Sequence, residues 1–149
     1  MQQDAEELAQ AMRQGCLGVR IGRLHRLVSR RFDLALRPLG LTLPQLEILA
    51  ALQIGGRLKP GAIADALAVE RSTISRNLSR MEGQGWIRVE SAPSGYSKAA
   101  ELTDAGAEVL AGAGDAWNRT QEAVLELLGS DSPAVLDGWL AQLSKAGDG

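Results

Sequence analysis

The chain has 149 residues, 45% of them hydrophobic but only 3% aromatic, and a formal net charge of -2. That length supports a single domain with a real core, built from Ala, Leu and Val, which suits a mostly helical protein. One cysteine rules out an intrachain disulfide, one cysteine and one histidine fall short of the about four ligands of a metal site, and no apolar run approaches the roughly 20 residues of a membrane span.

The start, Met1-Gln-Gln-Asp-Ala-Glu-Glu, is polar and acidic and lacks the pattern of a signal peptide. The expectation is a soluble cytoplasmic protein with no cofactor and no membrane partner. Charge is unevenly spread. Residues 1–40 carry seven Arg and four acids, residues 41–104 seven of each sign, and residues 105–149 two basic and seven acidic residues. The two ends are therefore complementary, as expected if they pack together. A low overall charge argues only weakly against a local basic face.

Residues 6–36 read as one helix, with Leu17, Ile21, Leu24, Leu27 and Val28 at helical spacing and Pro38 and Gly40 as its stop. Thr42-Leu43-Pro44-Gln45 matches a capping box, so a second helix starts there and runs to Gly55-Gly56. Pro60 suits the first turn of a third, short helix bearing Ile63 and Leu67, with Ala68-Val69 as the turn after it. A fourth helix follows over about 70–84, with Ile74, Leu78 and Met81 inward. Trp86 to Glu90 alternates like a half-buried strand, Ala92-Pro93-Ser94-Gly95 has turn chemistry, and Lys98 to Leu102 is the returning strand. Thr103 caps a long helix carrying Val109, Leu110, Ala113, Trp117, Val124 and Leu128. Ser132-Pro133 opens the last helix, with Leu136, Trp139, Leu140 and Leu143 on one face.

Two short helices joined by a tight turn and followed by a hairpin form a winged helix-turn-helix, whose second helix is built to enter a DNA major groove. The fold class is therefore mainly α with a small β-hairpin wing, a winged helix-turn-helix flanked by helices; the resemblance given below implies that these form a helical dimerisation domain. Burying Ile74, Leu78 and Met81 leaves Ser72, Ser75, Arg76 and Ser79 outward, with Thr73 and Arg80 on the flank. Short hydroxyl side chains let a helix lie deep in a groove, and Arg can take guanine O6 and N7 in a bidentate pair. Arg71, near the helix start, suits a phosphate. An amphipathic helix with a merely solvated polar face has the same pattern; the order of the surrounding elements favours the DNA reading.

The chain resembles the MarR (multiple antibiotic resistance regulator) family over about residues 10–145. The resemblance rests on Leu41-Thr42-Leu43-Pro44-Gln45-Leu46, Ala64-Asp65-Ala66-Leu67, Arg71-Ser72-Thr73-Ile74-Ser75-Arg76, Met81-Glu82-Gly83-Gln84-Gly85-Trp86-Ile87 and Leu102-Thr103-Asp104-Ala105-Gly106. Their order and spacing together carry the resemblance. The family implies a homodimer, here through residues 1–40 and 105–149, with residues 41–104 as the DNA-binding region. It also implies a repressor that binds a pseudo-palindromic double-stranded operator and is released by a small-molecule effector or oxidant. Carried over by position, the DNA-contacting residues are Ser72, Thr73, Ser75, Arg76 and Arg80, to which Arg71, Arg88 and Lys98 are added as phosphate contacts. The family wing usually carries an Asp-x-Arg motif; Ser94 and Tyr96 stand at those positions, so the minor-groove Arg is missing.

Cys16 lies near the reactive cysteine of the family's hydroperoxide-sensing branch, but the only tyrosine, Tyr96, is in the wing, so a small apolar packing role is favoured over a redox sensor. The series Arg20, Arg23, Arg26, Arg30 and Arg31 reads as a solvated face, as an anion-binding wall or, favoured by the acidic last helices, as salt-bridge partners. His25 reads as structural or exposed. Cys16 and His25 would be roughly 13 Å apart along one helix, too far to share a proton, and no nucleophile elbow or phosphate loop is present, so no enzyme is expected. The competing functions are a winged-helix protein–protein module without DNA binding, and a thiol-based regulator using Cys16.

Overall fold

The computed structural model describes residues 1–95 and 97–147. Among the described residues, eight helices and one hairpin follow in order: α1 (Gln2–Gly15), α2 (Leu17–Leu36), α3 (Leu43–Gly55), α4 (Pro60–Leu67), α5 (Arg71–Gly83), β1 (Ile87–Ser91), β2 (Lys98–Leu102), α6 (Asp104–Gly112), α7 (Gly114–Leu128) and α8 (Ser132–Ala146). A single 3-10 turn, Arg37–Leu39, closes α2, and Gly40 beyond it takes φ 70°. The mainly helical winged fold expected from the sequence is the fold observed.

Two expected helices are broken. The first splits at Cys16, whose backbone is extended at φ -68° and ψ 115°. Gly15 and Gly18 flank it, and glycine costs about 1 kcal/mol relative to alanine inside a helix. The Arg20 guanidinium donates to the carbonyl of Gln14, satisfying a group the break exposes. The second splits at Ala113, between Gly112 and Gly114, where the Ala113 N–H is shared between the carbonyls of Val109 and Leu110 at 3.2 Å each. Ala113 is fully buried and Val124 nearly so, so the kink turns α7 onto the core.

The capping box forms as read. Thr42 Oγ1 accepts from the Gln45 N–H at 3.4 Å, and Gln45 Oε1 accepts from the Thr42 N–H at 3.1 Å. Asp33 of α2 also accepts the Leu43 N–H at 2.7 Å, fastening α2 to the start of α3. The α4–α5 turn closes with Ala68 in the left-handed region (φ 52°, ψ 46°), and the Val69 N–H returns to the Ala64 carbonyl at 3.0 Å. Alanine there gives up about 1–2 kcal/mol; the paired helix end offsets it.

One core cluster joins Phe32 and Leu36 of α2, Ile48, Leu49 and Leu52 of α3, Ile63 of α4, Ile74, Leu78 and Met81 of α5, Ile87 of β1 and Ala100 of β2. The antiparallel hairpin pairs Ile87 with Leu102 and Arg88 with Glu101. Ala100 is also bridged by Leu58 from the α3–α4 connection, through N–H···O bonds of 3.0 and 2.8 Å. The paired alanines that weakened β2 in the sequence thus lie where a third backbone approaches, and a small side chain fits there.

Among the described residues, the ion pairs expected between the first-helix arginines and the acidic C-terminal helices do not form. Among the described residues, salt bridges join the Met1 amino group to Asp4, Arg57 and Arg88 to Glu90, and Arg88 to Glu101. The ends meet through α2 and α7, with Val28, Phe32 and Val124 in the shared apolar cluster. Apolar burial needs no charge pairing, and exposed ion pairs add little.

Candidate nucleic-acid interface

α5 is placed by its inner face. Ile74, Leu78 and Met81 are buried to 3% exposure or less, at i, i+4 and i+7. The opposite face is open. Arg71, Ser72, Ser75, Arg76, Ser79 and Arg80 are exposed, and Thr73 is half-buried at the flank. Arg76 Nη2 donates to Thr73 Oγ1 at 3.2 Å, so the threonine holds the guanidinium along the helix instead of presenting its own hydroxyl freely. Arg80 has no hydrogen-bond or ion-pair partner among the described residues, and it lies in the last turn.

The two basic residues expected near the hairpin differ in circumstance. Arg88 Nε lies 2.9 Å from Glu101 Oε1 and 3.1 Å from Glu90 Oε1, and its Nη2 bonds the same Glu101 oxygen. The hydrogen bond from Arg88 holds the Glu101 carboxyl below the usual carboxylate range, and Glu101 in turn raises the guanidinium. Lys98 makes no such pair among the described residues. It lines a cleft of about 390 Å3 with Lys59, Gly61, Arg71, Ser75 and Ser97. Ser94 sits in the exposed tip, where the Gly95 N–H returns to Ala92 at 2.8 Å. Tyr96 lies outside the described residues.

Lys59 is the residue that sequence reasoning missed. It precedes Pro60 in a connection with no motif, and only the fold brings it beside Arg71, twelve positions on. Gly61 permits that approach. A Cβ there would fall 2.2 Å from Arg71 Nη2 and 2.9 Å from its Cζ, so the guanidinium lies directly over the α4 backbone. The remaining sequence candidates are elsewhere. Cys16 is half-buried at the α1–α2 break. His25 is exposed, its Nδ1 3.4 Å from Ser29 Oγ.

A model of the MarR family matches residues 39–95. The M. tuberculosis transcriptional regulator MosR is 34% identical and superposes with a TM-score of 0.77, over 89% of this chain and 96% of that one. The chain belongs to the MarR family. MosR in complex with DNA superposes on this MarR-family chain at 31% identity and a TM-score of 0.76, over 88% of this chain and 97% of the other. A mutant MarR from E. coli in complex with operator DNA is 21% identical and shares the fold at a TM-score of 0.77, over 89% and 96% of the two chains. No protein of curated function matches the sequence. No helix of the described residues is long and apolar enough to cross a membrane.

Proposed function

We propose that this chain is a dimeric DNA-binding transcription regulator, a repressor that occupies a pseudo-palindromic operator and is released by a small ligand. The observation that carries the reading is the open hydroxyl-and-arginine face of α5, held outward by the burial of Ile74, Leu78 and Met81. The DNA complexes of MosR and of E. coli MarR support it. Ser72, Thr73, Ser75 and Arg76 are assigned to the groove, and Arg71, Arg80 and Lys98 to phosphates. Arg88 belongs to that set only when its carboxylate partners release it.

Dimerisation is assigned to residues 1–40 and 105–149. In support, α1 and α8 bury no residue within the chain, and Leu8, Leu17, Trp139, Leu140 and Leu143 are each more than half exposed. Apolar side chains gathered on such faces mark association surfaces. The effector is assigned to an apolar groove of about 450 Å3 between α2, α7 and α8, lined by Leu24, Val28, Val124 and Leu136 with His25, Gln121, Ser132 and Asp137 as polar groups.

The test is a mobility shift with the DNA upstream of the chain's own coding region, searched for an inverted repeat and competed with a scrambled duplex. Specific retention at the repeat supports the reading. A folded dimer that retains no duplex would make the chain a protein–protein module, a reading that the neutral charge of residues 41–104 and the missing wing Arg both favour.

A further inference from the structure

The geometry points to a phosphate seat between α4, α5 and the hairpin, in which Lys59, Arg71 and Lys98 clasp one backbone phosphate of each operator half-site. The inference rests on the DNA reading above and names residues that supply the anchoring the wing cannot.

Three cations line one cleft of about 390 Å3, and no carboxylate lines it with them. None of the three forms an ion pair among the described residues. Like charges drawn together without a counter-charge repel, and Arg71 and Lys59 also stand at the starts of α5 and α4, where the helix dipole disfavours cations. An entering anion would meet positive charge with no ion-pair partner among the described residues, at the favourable ends of two helix dipoles. The cleft also contains Ser75, one of the outward residues of α5, so it opens on the side of the molecule that meets the groove. Ser75 and Ser97 add hydroxyl donors of the kind that fix phosphate oxygens.

Gly61 makes the seat. With hydrogen in place of Cβ, the Arg71 guanidinium settles over the first turn of α4, beside Lys59. A methyl group there would displace the guanidinium, because the three nearest atoms to it all belong to Arg71. The far end of a flexible side chain can move, so the fold would survive. Duplex DNA is the anion favoured by the placement, since the cleft flanks the proposed reading helix and is open rather than enclosing.

The experiment compares the full-length wild type, Lys59→Gln and Gly61→Ala on the retained repeat and on a scrambled duplex, across a salt series. Lys59→Gln is expected to weaken both duplexes alike, by about three- to tenfold, and to lower the salt slope by about one per subunit. Gly61→Ala is expected to weaken both by a similar factor with a melting temperature at or above wild type, because alanine favours the helix. A methylphosphonate at the seated phosphate should weaken the wild type more than it weakens Lys59→Gln, because only Arg71 and Lys98 still hold that phosphate in the variant. If both variants match a DNA-binding wild type in affinity and slope, or if Lys59→Gln harms only the repeat, the seat is overturned while the DNA reading stands. A wild type that binds no duplex overturns both.

Discussion

Arg88 of β1 faces Glu101 of β2 directly across the ladder, and the guanidinium is closed by that carboxylate, Nε to Oε1 2.9 Å, with Glu90 at 3.1 Å on the same side. The pair neutralises the one arginine that the hairpin carries, in a wing already lacking the family's minor-groove Arg.

Breaking that pair is expected to release Arg88 in part, leaving Glu90 as its remaining partner. Glu101→Gln should raise affinity for any duplex modestly and steepen the salt slope by up to about one charge per subunit. The same pair makes a small contribution to stability with a defined pH sense. Because Arg88 depresses the Glu101 carboxyl, the contribution is present above the ordinary carboxylate range and is lost as pH falls through the depressed value. Arg88 is exposed and Glu101 half-buried at the surface, where an ion pair adds little, so thermal melts of wild type and Glu101→Gln should coincide closely at neutral pH. Weaker binding by Glu101→Gln would show that the carboxylate aids Arg88 in place.

The groove assignment separates two arginines on one helix. Arg76→Ala should weaken repeat binding by about 1–3 kcal/mol and relax preference at one base pair per half-site. Arg80→Ala should weaken all sequences similarly. Equal loss on the repeat and on scrambled DNA for Arg76 would remove it from base reading. Thr73→Val should reproduce part of the Arg76 loss, since Thr73 Oγ1 holds that guanidinium at 3.2 Å.

The joint between the hairpin and α6 is predicted to be intolerant. Thr103 Oγ1 donates to the Gly85 carbonyl at 2.6 Å and accepts the Gly106 N–H at 3.1 Å. A Cβ on Gly106 would lie 2.0 Å from the Trp86 carbonyl oxygen, a backbone atom that cannot swing aside. Gly106→Ala should therefore destabilise by about 1–3 kcal/mol, the usual range for overpacking. An unchanged melting temperature in that variant would refute the close contact.

Trp139, 55% exposed on α8, provides the assembly test. Sedimentation of the wild type at micromolar concentration should show a dimer. Trp139→Asp should shift it toward monomer or aggregate, with a fall in thermal stability. A folded wild-type monomer at that concentration would remove the proposed dimer surface.

Two family devices are expected to be silent here. Cys16→Ser should leave DNA binding and any peroxide response unchanged, because Cys16 sits half-buried at a helix break and the chain has no second tyrosine to support it. Tyr96→Ala should change affinity little, whereas Tyr96→Arg should tighten binding by supplying charge to a narrow minor groove. Loss of peroxide-induced release in Cys16→Ser, or loss of operator binding in folded Tyr96→Ala, would restore the corresponding device.

Local signals in the sequence determined much of this protein. Thr42 and Gln45 cap α3, Pro60 opens α4, and the spacing of Ile74, Leu78 and Met81 fixes the outward face of α5, because hydrogen-bond closure and helical period act over a few residues. Tertiary structure decided what lies far apart in sequence. Glycines beside Cys16 and Ala113 lower the cost of a break, but helical spacing runs through both positions, so the sequence alone did not locate the breaks. Net charge suggested ion pairs between the ends; apolar contact joined them, because buried area outweighs exposed charge. Arg88 counted as a free cation until strand register set it against Glu101. Lys59 carried no motif at all, since the convergence of three cations depends on how α4, α5 and β2 are folded onto one another, and on a glycine that leaves room for Arg71.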